Sequence, residues 1–318
     1  MNHTTLQNKQ LATVFMLMVL GVAASWPAVV SAGGVAKETF PRLGGYQSGT
    51  HPYTGWDDPE YHRDMAKLDY VILGTKIKNI NVYASAIREM NPNILLAKYT
   101  KIQEIFHKHG GYAVLKKDKF SAEEGPNASN AHDWWARDLD GNNLSNWPAN
   151  WTVNITDYVK PDANGDRVPQ WSAKLDYEWW LQHDVWDAVF EDVAQWKPRS
   201  NTASGATVDW SGGQETNRKR LEAAFRNGHK NYWDEIKRLA PEKLIFANHD
   251  WYRYEAKFGV WDLEEYDQQI HGGLLEWIMR ETDTDPGSKR ANWGRVYNAY
   301  YNSMKYFKDP KIVMFVVQ

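Results

Sequence analysis

Apolar residues along this chain follow two rhythms. Short runs of strand character occur at 40–46, 70–75, 94–100, 188–193, 244–249, 272–277 and 312–317. Between them the spacing becomes helical. Leu221, Phe225, Tyr232, Ile236 and Leu239 recur three, four or seven apart, which predicts one buried helix face closed by Pro241. Trp293, Val296, Tyr297, Tyr300, Met304 and Phe307 repeat the pattern before the last strand. Asp58-Pro59 predicts a helix start, a capping side chain followed by proline in the first turn.

Strands alternating with helices predict parallel pairing through right-handed crossovers. Seven such strands predict an α/β fold, a (β/α)8 TIM barrel lacking its last strand. The expectation is C-terminal truncation, since the chain stops just after Val317; closure of the barrel by some other route is the alternative. The connection at about 101–187 is long and rich in tryptophan, including Trp134, Trp135, Trp147, Trp151 and Trp171. Barrel insertions of this kind follow strands at the catalytic face, so it is expected to wall a cleft. Within it, Asp138-Leu139-Asp140-Gly141 reads as a hairpin turn. Asp138, Asp140 and Asn142 have the spacing of the first ligands of a calcium loop, but the Glu twelve positions along is absent.

Residues 1–32 read as an export signal. Lys9 is the only charge, 11–21 is apolar, and Val30-Ser31-Ala32 offers small residues before Gly33. An uncleaved anchor is the competing reading; Pro27 and the small residues favour cleavage. The barrel domain would then span 33–318, in a secreted or periplasmic protein with no membrane attachment after processing. Asn127, Asn150 and Asn154 lie in glycosylation sequons.

Composition narrows the function. Lys and Arg number 37 against 40 Asp and Glu, a net charge of −3, with no basic stripe to neutralise phosphates, so nucleic acid is not expected as a partner. Cysteine is absent, which removes disulfides and thiolate chemistry. Seventeen Trp outnumber ten Phe. Trp offers a flat apolar face with one polar N–H, a platform for a sugar ring, although most are expected to pack internally. No His-Glu-x-x-His run or comparable cluster points to a metal, and His107 and His109 would diverge on a helix. Gly44-Gly45 and Gly212-Gly213 lack nucleotide-loop spacing, and there is no Gly-x-Ser-x-Gly elbow, so no cofactor is expected.

Two strand-like runs end in acids: Ala188-Val189-Phe190-Glu191-Asp192 and Gly272-Gly273-Leu274-Leu275-Glu276. Carboxylates at the C-terminal tips of two barrel strands suit glycosidic cleavage, one as acid and the other as nucleophile or base. Glu191 and Asp192 have opposite pleat parity. Asp192 shares the parity of Phe190, read as inward, and is favoured; Glu191 stays a rival. Glu276 stands against Trp277, where lost hydration would raise its pKa and keep it protonated. A helix cap, or an ion pair with Arg280, is the structural alternative for Glu276. Arg42, Tyr46, Lys98, Tyr99, Asn248, Trp134, Trp135 and Trp277 are candidates for lining the substrate site.

Phe40-Pro41-Arg42-Leu43-Gly44-Gly45-Tyr46, Asn91-Pro92-Asn93-Ile94, Asn154-Ile155-Thr156, Trp186-Asp187 with the run to Asp192, and the run ending at Glu276 together resemble the hypothetical glycosyl hydrolase family 15 proteins. The likeness extends from about Phe40 to the C-terminus and implies a bacterial TIM-barrel glycosidase. In layout that family is similar to barrel enzymes acting on α-linked sugars. The resemblance implies Asp192 as nucleophile and Glu276 as acid/base. Relatives often carry Asn after the first of these acids, where this chain has Val193.

The expectation is an exported glycoside hydrolase acting on a poly- or oligosaccharide, with no metal. A non-catalytic carbohydrate-binding barrel of a surface or export assembly is the alternative. The sequence sets neither the sugar, the stereochemical course nor the oligomeric state.

Overall fold

The computed structural model describes residues 16–19, 42–47, 59–74, 79–106, 134–145, 150–195, 207–248, 264–275, 297 and 300–317. In chain order its strands are β1 (Met16–Val19), β2 (Arg42–Gln47), β3 (Tyr70–Leu73), β4 (Leu95–Thr100), β5 (Glu104–Phe106), β6 (Arg137–Asp138), β7 (Asn150–Thr152), β8 (Ala188–Glu191), β9 (Val208–Asp209), β10 (Leu244–Ala247), β11 (Gly272–Leu275) and β12 (Ile312–Val317). Eight of these close a barrel in the order β1-β12-β11-β10-β8-β4-β3-β2.

The seven strands from β2 to β12 run parallel, as the strand–helix alternation predicts. The eighth position, between β12 and β2, is filled by β1. It runs antiparallel to both neighbours, with Met16 opposite Val317 on one side and Gly45 on the other. Closure through β1 removes the two open edges that seven strands would leave. These four residues belong to the apolar stretch that also reads as an export signal.

Strand alternation sorts the core into two shells. Ile72, Ala97, Phe190, Phe246, Leu274 and Met314 pack together inside the barrel. Their neighbours of opposite parity, among them Val71, Leu96, Val189, Ile245 and Val313, pack outward against the helices. Gly272 is explained by this packing. A Cβ there would stand 2.7 Å from Phe246 Cδ1 and closer still to the Ile312 carbonyl oxygen.

The helices are α1 (Pro59–Ala66), α2 (Ile80–Met90), α3 (Val168–Asp176) running into a π-helical turn at Tyr177–Leu181, α4 (Arg218–Leu239) and α5 (Glu264–Asp267). α1 begins at the proline that marked its start. α4 begins at Asn217, whose side chain accepts from the Lys219 and Arg220 amides, an N-cap that satisfies two otherwise unpaired donors. It ends two residues before Pro241; of the stripe read from the sequence it buries Phe225, Tyr232 and Ile236, while Leu221 and Leu239 are half-buried, and Trp233 is buried beside them. Among the described residues no helix is long and apolar enough to cross a membrane.

Within the insertion β5 pairs antiparallel with β7, while β6 pairs antiparallel with β9, which lies beyond β8. The Asp138 segment is the expected turn: its carboxylate accepts from the Asp140 and Asn142 amides, and Gly141 takes φ 84°. Asn150 and Asn154 are buried, and the Asn154 amide donates to the Trp210 carbonyl at 2.8 Å, so neither presents a glycosylation site on the folded surface.

At the opposite, N-terminal end of the strands, His271 Nδ1 accepts from the Ile245 amide at 3.0 Å. Burial, with Lys237 and Lys308 nearby, lowers its pKa from 6.5 to about 4. The unfolded chain therefore takes up this proton near pH 6.5 while the folded protein resists until about pH 4. Stability should fall across that window as pH drops, by on the order of 3 kcal/mol from this group. His271→Asn keeps an acceptor for the Ile245 amide. Chemical denaturation from pH 7 to 4 should show a shallower loss in that variant than in wild type.

Candidate active site at the C-terminal ends of β4, β8 and β10

β8 leaves the barrel at Glu191, and Asp192 is the first residue beyond it. The backbone there is pinned on both sides. The Asp192 amide donates to the Thr100 carbonyl at 2.8 Å, and the Asn248 amide donates to the Glu191 carbonyl at 2.8 Å. Parity then divides two adjacent acids between two environments. Phe190 belongs to the inner shell, so Asp192 points to the same side, toward the barrel mouth. Glu191 points the other way, into the layer beneath α4.

Asp192 is partly buried and accepts three hydrogen bonds. Tyr99 Oη donates to Oδ2 at 2.6 Å, Asn248 Nδ2 donates to Oδ1 at 2.9 Å, and the Val193 amide donates to Oδ1 at 2.9 Å. Tyr99 comes from β4 and Asn248 follows β10, so three neighbouring strands converge on one carboxylate. Among the described residues, each of these three partners is a donor. Tyr99 and Asn248, read from sequence as sugar contacts, direct these polar atoms at Asp192.

Val193 adopts φ 59°. A β-branched residue rarely enters this left-handed region, where Asn is far more at ease. The strain lies immediately beside the acid, a position typical of functional sites. Val193→Asn should therefore raise unfolding stability by about 1 kcal/mol, read from the urea midpoint.

Glu191 is fully buried. Its Oε1 lies 2.7 Å from His229 Nδ1, and Trp233 Nε1 donates to its Oε2 at 2.6 Å. It thus points away from the barrel mouth, toward α4. Another buried carboxylate, Asp176 of α3, accepts from Thr100 Oγ1 at 2.9 Å and from Tyr232 Oη at 2.7 Å, tying β4 to α3 and α4. His229, Trp233 and Asp176 were not singled out from sequence. The first two sit on the predicted buried face of α4, where helical spacing marks burial but not partnership with a strand-end acid.

Two expectations are corrected. Trp134 and Trp135 are buried at 0% and 3% exposure, leaving no face for a sugar. Trp134 Nε1 donates to the Lys160 carbonyl at 2.7 Å, and Trp135 packs edge-on to Trp151 at 5.1 Å, so both anchor the insertion to the core. Lys98 has the parity of Glu191 and lies outside the barrel. Its ammonium is covered by the Trp180 ring at 4.0 Å and donates to the Tyr99 carbonyl.

Glu276 and Trp277 lie outside the described residues, as do the side chains of Arg42 and Tyr46. The backbones of the latter two belong to β2, with Tyr46 in register with Ile72. Among the described residues no group of His, Asp and Glu is arranged to hold a metal ion.

No known family profile matches the chain, and no curated protein matches it in sequence, so the family resemblance rests on its motifs. Solved structures with a similar arrangement include the glycoside hydrolase domain of PelA from Pseudomonas aeruginosa. That match has TM-score 0.43 and 11% identity and covers 81% of this chain and 79% of that one. An α-galactosidase from Lactobacillus brevis gives TM-score 0.43 and 8% identity, covering 75% of this chain and 28% of that one. The GH36 α-galactosidase AgaA A355E of Geobacillus stearothermophilus, in complex with 1-deoxygalactonojirimycin, gives TM-score 0.38 and 9% identity, covering 60% of this chain and 25% of that one. The chain thus spans about a quarter of the two α-galactosidases.

Proposed function

We propose that this chain is a glycoside hydrolase in which Asp192 and Glu276 work as a pair on a poly- or oligosaccharide, with an α-linked substrate as the family resemblance implies. The observation that carries the reading is Asp192 itself, a carboxylate just past the tip of a barrel strand, oriented by Tyr99 and Asn248 from the two strands beside it. Glu276 follows inward-packed Leu274 by two positions, so continued alternation would give it the same side.

In this mechanism Glu276 gives its proton to the glycosidic oxygen as the bond to the anomeric carbon breaks. Asp192 either bonds to that carbon, forming an intermediate that water then hydrolyses, or takes a proton from the water that attacks it. A carboxyl separation of about 5–5.5 Å corresponds to the first course and about 6.5–9.5 Å to the second. No step requires a metal. Export belongs to the same proposal and rests on residues 1–32. Cleavage after Ala32 would remove β1, so intact mass of the protein recovered outside the cytoplasm shows whether the segment is retained.

The alternative, a glycan-binding barrel without catalysis, drew its support from a Trp-rich insertion presenting platforms. The same insertion supported an enzyme equally, so burial of Trp134 and Trp135 does not choose between the two readings. Incubation with a panel of polysaccharides, with reducing ends as the readout, tests the proposal. Release of new ends from at least one glycan is expected. Binding with no product over long incubation would favour the alternative.

A further inference from the structure

The buried acid behind Asp192 has no role in the reaction just described, yet it is fully engaged. Glu191, His229 and Trp233 all have 0% exposure. Both carboxylate oxygens are used, by His229 Nδ1 at 2.7 Å and Trp233 Nε1 at 2.6 Å. Aromatic rings enclose the imidazole: Trp233 stacks on it at 6.2 Å, while Phe225 and Tyr266 meet it edge-on at 5.3 and 6.0 Å. Its Nε2 is left with no hydrogen-bond partner.

Stability does not call for this arrangement. A buried ionisable group is costly to desolvate, and well-packed apolar residues of similar volume are often as stable or more so. An unpaired buried nitrogen adds a further penalty. What the arrangement supplies is geometry. The peptide joining residues 191 and 192 is planar, so a rotation at Glu191 carries Asp192 with it. Anchoring the Glu191 carboxylate to two positions one turn apart on α4 therefore restrains the strand end from which Asp192 projects, adding to the hold of Tyr99 and Asn248 on its carboxylate. From the other side, the Tyr266 hydroxyl donates to the Gln195 carbonyl at 3.3 Å, holding the segment just beyond.

We propose that Glu191, His229 and Trp233 form a positioning unit that sets where the Asp192 carboxylate points. The unit acts through the backbone of β8 and touches no substrate; its catalytic consequence rests on the function proposed above. A displacement of about 1 Å at a reacting group can cost on the order of a hundredfold in rate.

Two variants separate positioning from packing. Glu191→Gln keeps the shape and lets the amide oxygen accept from Trp233. The triple variant Glu191→Leu/His229→Leu/Trp233→Phe replaces the polar unit with apolar side chains. Protein labelled with 13C at the aspartate carboxyl gives a resonance for Asp192, assigned by its loss in Asp192→Asn. The Gln variant should keep that resonance, its titration midpoint and kcat. The triple variant should unfold cooperatively, shift the resonance and midpoint, and lose about tenfold or more in kcat with little change in KM. A folded triple variant whose resonance and kcat match wild type would overturn the proposal. If the triple variant fails to fold, Trp233→Phe alone, which removes one donor, is read in the same way. If wild type cleaves no glycan, the proposed function fails, and the Asp192 resonance still decides whether the unit positions that residue.

Discussion

Asp192→Asn should reduce glycan hydrolysis about a thousandfold or more while leaving the unfolding midpoint nearly unchanged. The amide has the shape of the acid. It can still accept from the Val193 amide or from Asn248, and the Tyr99 hydroxyl can turn to accept from it. What is lost is the negative charge that attacks the anomeric carbon or draws a proton from water. The neighbouring Glu191 cannot take over, because it faces the opposite side of β8 and both its oxygens are occupied by α4. Initial rates on the most responsive glycan, paired with urea denaturation of each protein, supply the comparison. Full turnover in the variant would remove Asp192 from the mechanism.

Gly228→Ala should destabilise the protein by about 3 kcal/mol. Helix propensity argues the other way, since Ala in a helix interior is better than Gly by about 1 kcal/mol. Sterics decide the sign. A Cβ at position 228 would lie 2.9 Å from Ile155 Cγ1 and still closer to the Ile155 carbonyl oxygen. The contact is with backbone, and the segment has little freedom to retreat. Asn154 and Thr156 on either side of Ile155 are both hydrogen-bonded to the Trp210 carbonyl, at 2.8 and 3.2 Å. α4 would have to move off this segment, loosening Phe225 and Trp233 beneath it. A lower urea midpoint with an unchanged slope is the expected result.

Much of the barrel was legible because strand and helix periods differ and the transitions are marked. Seven runs gave the seven parallel strands to within a few residues, and Pro59 and Pro241 punctuate helices as local chemistry requires. Parity placed Glu191 and Asp192 on opposite sides of β8. It also assigns Lys98 to the outer side of β4, though nearness to the strand end had drawn attention to it. The tryptophans were harder. Composition says that flat aromatic surface is abundant, but burial of Trp134 and Trp135 depends on tertiary contacts with Lys160, Trp151 and Trp171 that no spacing rule reveals.

Two features had a signal that was readable in another sense. The diglycine before Leu274 serves packing at its first position, where the space a Cβ would need is taken by the Phe246 ring and the Ile312 carbonyl. Val193 takes a left-handed turn that Asn would adopt more easily. The partnership of His229 with Glu191 joins residues 38 apart and leaves no trace in local sequence. β1 was hidden because an apolar stretch near an N-terminus is read first as a targeting signal, and four apolar residues fit a strand equally well.

The central claim is that two acids meet at one mouth of the barrel, and the distance between them is its most direct test. In a crystal structure, the Glu276 carboxyl group should lie about 5–9.5 Å from that of Asp192, across an open cleft. Carboxyl groups at opposite ends of the strands, or separated by well over 10 Å, would contradict it.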